Sequence, residues 1–128
     1  MTFSIQIDPE SGMGVVTCTQ VLRFRDAKEA AEALWESSGW SGKAVVWDFR
    51  ESRFDVSSTD IREVAEFILR FQPTPPPERV AWVTPRDVDF GLARMFEVFR
   101  DDAHTAFRVV RDFDEAVSWT RLLRPGAA

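Results

Sequence analysis

Residues 43–49 read KAVVWDF, and no other stretch limits the fold as much. A nearly unbroken apolar run of strand length has no polar side to show to water, so it belongs in a sheet covered on both faces. RVAWVT at 79–84 is a second short run of this kind. Between them Ile61, Val64, Ala65, Ile68 and Leu69 recur at helical spacing, and QPTPPPE then breaks the pattern. Strand, amphipathic helix and strand in succession predict a parallel pair joined by a right-handed crossover.

The same alternation extends in both directions. TFSIQID and VVTCTQV flank the turn residues PESGMG and read as an antiparallel hairpin. Ala27, Ala30, Ala31, Leu34 and Trp35 form a helical stripe that stops near Gly39, with Asp26 and Glu29 spaced as a capping box at its start. From about Asp89 to Arg100, Leu92, Met95, Phe96 and Phe99 form a further stripe, followed by the loop DDAHT and the strand AFRVV. RDFDEAVSWTRLL is a helix with Asp112 and Glu115 at cap spacing and Ala116, Trp119 and Leu123 on one face. The order ββαβαβαβα predicts an α/β fold with a mixed sheet: an opening antiparallel hairpin and a parallel core, in a single domain over residues 1–128. Ligands of such sheets meet the carboxyl ends of the parallel strands, where three loops converge: residues 50–58, 84–89 and 111–113.

Composition removes several classes of function. The net charge of −5 is spread along the chain and leaves no basic face for nucleic acid. Cys18 is the single cysteine, which excludes an internal disulfide and any multi-cysteine metal site, and its place in GVVTCTQV marks it as a packing residue. No apolar run is long enough to span a membrane, and MTFSIQIDPESG lacks the pattern of a secretory signal, so a soluble, cytoplasmic protein is expected. Basic charge is carried almost wholly by Arg, with Lys only at 28 and 43.

Enzyme chemistry finds few footholds. His104 is the only imidazole, no GxSxG elbow occurs, and GWSGKAV lacks the first glycine, the hydroxyl and the following helix of a phosphate-binding loop. DFGLARMF carries a kinase-like triplet by chance. Asp101, Asp102 and His104 with Asp87 and Asp89 meet no known metal-ligand spacing and read as solvated acidic loops. No enzyme activity, metal or cofactor is expected. The proline run at 75–77 reads as a stiff loop.

FDVSSTDIR, at 54–62, is the stretch with a functional reading of its own. Ser57, Ser58 or Thr59 at a helix start can cap it, and Asp60 and Glu63 complement the positive end of the helix dipole. The same geometry exposes a hydroxyl at the end of a central strand, where phosphorylation adds about two negative charges.

VVWDFRESRFDVSSTDI also resembles the central segment of STAS-type domains, the fold of bacterial anti-sigma factor antagonists. There a strand ending in Asp leads through a short loop to Phe, two residues and a Ser-Ser pair that opens a helix; Asp48, Phe54, Ser57 and Ser58 follow that order. RVAWVTPRDVDFGLARMFEVF and FRVVRDFDEAVSWTRLL look most like the SpoIIAA-like subgroup, which is related to lipid-binding CRAL-TRIO domains. The resemblance implies a SpoIIAA-like (STAS-like) architecture and a regulatory, non-enzymatic role. It also implies a protein partner, a kinase or anti-sigma-type regulator, that phosphorylates the second serine, here Ser58. Val56 stands where those antagonists have Asp, and Thr59 where they have Gly. On this reading Asp55, Thr59, Asp60, Phe67, Phe71 and Asp87 form the candidate partner or ligand surface, Phe67 and Phe71 lying opposite Ile61, Ala65 and Leu69 around the helix. The alternative is a domain that binds an apolar small molecule or lipid without phosphorylation. An exposed edge of the opening hairpin would permit a homodimer.

Overall fold

The computed structural model describes residues 3–100 and 104–121. Its elements run β1 (Phe3–Ile7), β2 (Gly14–Leu22), α1 (Phe24–Trp35), β3 (Ala44–Phe54), α2 (Ser58–Phe71), β4 (Arg79–Val83), α3 (Asp87–Phe99), β5 (Ala106–Val110) and α4 (Phe113–Arg121). This is the order that the periodicities predict. The strands lie side by side in chain order, β1-β2-β3-β4-β5, with β1 antiparallel to β2 and every later pair parallel.

Each parallel step moves one strand further in the same direction. Crossovers of one hand therefore deliver α1, α2 and α3 to the same face. That face holds the larger core: Val16, Cys18, Val45, Trp47, Phe49, Val80 and Trp82 from the sheet meet Ala30, Leu34, Ile61, Val64, Ala65, Ala93 and Phe96 from the helices. Alternate residues of the same strands, Ala44, Val46, Ala81, Val83 and Val110, point to the other face, where Ala116 of α4 packs with Phe113, Val117 and Trp119 beside it. KAVVWDF is apolar on both faces because helices lie on both.

The opening turn is built by Asp8. Its carboxylate accepts from the Glu10 N–H (3.0 Å) and the Ser11 hydroxyl (2.9 Å), while its own N–H donates to the Met13 carbonyl (2.9 Å). Those bonds, the Glu10 N–H foremost, hold the Asp8 carboxyl below its ordinary value. Gly14 suits close packing: a Cβ there would lie 2.9 Å from Leu34 Cδ1 and 3.1 Å from the Trp40 ring, so those side chains would have to shift.

Four expectations need correction. Helix α1 begins at Phe24, so Asp26 is its third residue; the Asp26 carboxylate accepts from the N–H of Arg23, the residue that precedes the helix (2.9 Å). Leu69, placed by spacing on the buried stripe of α2, is 40 % exposed. Asp87 and Asp89, read as loop residues, form the first turn of α3. The largest difference is in β3, which runs on through Phe54 where a loop from residue 50 was expected. Pairing with β2 shifts register between Thr17 and Thr19, so that an extra β3 residue is accommodated beside Cys18. The bulge resets the alternation, which lets Ser52 remain buried and Phe54 pack against Phe49 and Trp82 although the segment reads as polar.

Candidate functional site

The two serines of FDVSSTD are divided by geometry. Ser57 precedes α2 in extended conformation, its hydroxyl accepts from the Asp60 N–H (3.0 Å), and the Asp60 carboxylate accepts from the Ser57 N–H (3.0 Å). This reciprocal box satisfies two backbone donors and uses both side chains. Ser58 is the first helical residue and is exposed, as is Thr59. The helix cap therefore belongs to Ser57, and an available hydroxyl belongs to Ser58.

Around this start, Asp55 pairs with Arg23 (3.4 Å) and its N–H donates to the Leu22 carbonyl (2.9 Å). Arg23, Phe24, Arg25, Asp26, Asp55 and Asp60 line an open cleft of about 440 Å³ between the starts of α1 and α2. At the far end of α2, Phe71 is 57 % exposed, whereas Phe67 is half-buried. Phe67 stacks on Trp35 of α1 (5.8 Å between rings) and lies under the Lys28 ammonium (5.0 Å). It therefore ties α1 to α2, and Leu69 and Phe71 form the exposed apolar end of the helix.

The loops predicted to converge do meet at the carboxyl ends of the parallel strands. Asp89, buried at 3 % exposure, accepts from the Phe54 N–H (3.2 Å) and so locks the end of β3 to the start of α3. Arg111 donates to the Pro85 carbonyl (2.8 Å) and pairs with Asp87 (2.8 Å), joining the end of β5 to the same turn. Asp87 is thus a surface ion-pair partner and Asp89 a buried strut, a distinction that DVDF does not show. Asp48, also buried, takes a bidentate grip from Arg50 Nε and an Nη (2.9 Å each) and the Arg50 N–H (3.1 Å). That hydrogen bonding to Asp48 raises the Arg50 pKa further, so the guanidinium is permanently charged.

Other candidates separate. His104 lines a cleft with Ser41, Lys43 and Pro73 to Pro76 at the amino end of the strands, while Asp87 and Asp89 open α3 at the opposite end. The helix between them is about 18 Å long at 1.5 Å per residue. The three side chains are not brought together. Asp101 and Asp102 lie outside the described residues, as does Leu123. Cys18 is fully buried and burial pushes its thiol up to about 12, which makes it a packing residue and no nucleophile. The enclosed apolar crevice between α1, α2 and the sheet, lined by Leu34, Trp47, Ile68 and Phe96 among others, holds about 30 Å³. That is room for a water molecule, against roughly 300–1,000 Å³ for a typical ligand pocket.

No protein-family model matches the sequence, and no curated protein matches it. Among solved structures, the chain is similar to an uncharacterised protein of the DUF3478 family from Shewanella loihica PV-4, described as having a SpoIIAA-like fold. The two share 16 % identity with a TM-score of 0.60, over 92 % of this chain and 93 % of the other. The fold is SpoIIAA-like. In this SpoIIAA-like frame β3 leads into α2 at the serine pair, as the sequence resemblance implies, but the strand does not end at Asp48 and carries Phe54 as well. Among the described residues no helix is long and apolar enough to cross a membrane.

Proposed function

We propose that this chain is a non-enzymatic regulatory module that engages a protein partner through α2, with Ser58 as its phosphorylation site. The observation that carries this reading is the division between the two serines: Ser57 is held in the cap, and Ser58 is exposed beside it. A phosphate on the first helical residue meets the positive end of the helix dipole, while Asp55 and Asp60 nearby oppose it. The net effect is a more strongly negative helix start, which favours a partner that supplies cations there. Leu69 and Phe71, 40 % and 57 % exposed, give the same helix an apolar contact at its other end. The SpoIIAA-like fold supports the reading by its likeness to anti-sigma factor antagonists.

Native mass spectrometry on the protein isolated from its own cells under phosphatase inhibition tests it. The expected result is a phosphate mapped to Ser58 and absent in Ser58→Ala, with a bound protein that is lost in Phe71→Asp while the melting temperature holds. An unmodified Ser58 together with partner retention in Phe71→Asp overturns it.

A further inference from the structure

β3 outruns its neighbour. Its pairing with β4 ends at Asp48 and Val83, yet β3 continues with β2 to Phe54 and Leu22. The two-stranded extension stands above the turn that leads into α3, and the step between them is an open groove of about 360 Å³ lined by Gln20, Val21, Arg50, Glu51, Ser52, Arg53 and Arg86. It lies at the carboxyl ends of the strands, where open α/β sheets take their ligands.

Three arginines from two separate segments line this groove in a chain of net charge −5. Arg50 is neutralised by Asp48 and rests on the Phe113 ring (4.4 Å), so it forms a fixed wall. Arg53 and Arg86 have neither a carboxylate partner nor a ring beneath them among the described residues; Arg23, Arg94, Arg111 and Arg121 are each paired with a carboxylate, and Arg62, Arg70, Arg79 and Arg108, which are not, each lie over an aromatic ring. Glu51 is the one acid in the lining and offsets one of the two. A second, independent feature lies in the same lining: Ser52 is 5 % exposed and its hydroxyl has no hydrogen-bond partner among the described residues. Buried hydroxyls are normally satisfied, and exceptions concentrate where something else completes them. Gln20, opposite Ser52 in the ladder, has φ of 61°, a left-handed conformation uncommon for a non-glycine residue and frequent at binding sites.

We propose that this groove binds a small phosphomonoester, its phosphate held between Arg53 and Arg86. Two guanidiniums from different elements suit a tetrahedral anion, which can accept a fork on each of two faces; a planar carboxylate offers one. This site is separate from Ser58 and does not depend on its phosphorylation.

Titration of the 15N-labelled chain with inorganic phosphate, and then with phenyl phosphate, is the test. Saturable amide shifts are expected at Gln20, Ser52, Arg53 and Arg86. The double variant Arg53→Gln/Arg86→Gln should weaken binding by at least about tenfold, with Arg25→Gln, an exposed arginine elsewhere, unchanged. Both groove arginines are exposed, so the dispersed spectrum of the double variant serves as the check on folding. Shifts that do not saturate, that survive the double variant, or that acetate reproduces at equal concentration overturn the proposal. Sedimentation with phosphatidic acid vesicles without a saturable response to phosphate also overturns it, in favour of a membrane headgroup.

Discussion

The two faces of the sheet are covered by different means. On the side of α1, α2 and α3, rings meet rings: Trp82 lies 4.2 Å from Phe96, 5.0 Å from Phe49, 5.5 Å from Phe107 and 6.0 Å from Phe54. On the side of α4, rings meet guanidiniums: Trp119 lies under Arg79 (4.9 Å) and Arg108 (5.1 Å), Phe113 under Arg50, and Arg79 also donates to the Trp119 carbonyl (2.9 Å). Cations also cover rings at the rim of the first side, Arg111 over Phe90 (4.3 Å) and Arg62 over Phe99 (5.0 Å), but its centre is ring on ring, which buries apolar area in quantity and fixes the strands. The second covers a narrower strip of sheet and keeps its cations at the surface, stacked on rings. The two sides thus differ in how they cover the sheet, and Arg50, a wall of the groove, belongs to the α4 side.

The strongest way to break this comparison is to remove its centre. Trp82→Ala should cost about 3–5 kcal/mol, because four rings lose their common neighbour and a cavity remains; urea denaturation measures it. Trp119→Ala should cost about 1–2 kcal/mol, since two cation–π contacts and a half-buried ring are lost at a surface. Equal losses for the two variants would show that the faces do not differ as described. The smallest effect at neutral pH concerns Cys18, whose burial tests how dry the three-helix side is. Its thiol is raised from 9.0 to about 12, so between those values the unfolded chain gives up a proton that the folded chain keeps. Stability from this group is complete below about pH 9 and declines as pH rises toward 12. The decline should be shallower in Cys18→Ala, measured as denaturation midpoint against pH; identical slopes would place the thiol in contact with water.

The element order was legible because helical and strand periods alternate cleanly, and KAVVWDF announced a two-faced sheet. The end of β3 was not legible, because a bulge at Phe49 and Arg50 breaks the period of two on which strand reading depends. Reading residues 50–58 as loop hid the overhang and with it the arginine groove. RESRF gave one usable signal, two arginines flanking a serine next to an apolar strand, yet their meeting with Arg86 is a matter of tertiary placement. Ser57 and Ser58 were both visible as candidates; which one caps depends on where the first helical turn begins, a one-residue question that composition does not answer. Asp87 and Asp89 look alike in DVDF, and only packing against β3 makes the second a strut.

Strand order that follows chain order also bears on how the molecule is assembled. Each strand after the first finds its partner already present in the preceding stretch of chain, so no gap must be held open for a later insertion. The sheet can grow outward from the hairpin one crossover at a time, with each helix sealing the strand pair it joins. The opposite face receives its cover from α4, which follows all five strands. The groove arginines rise from β3 and the β4–α3 turn, so their framework is complete once β4 docks, before the charge-capped side is closed.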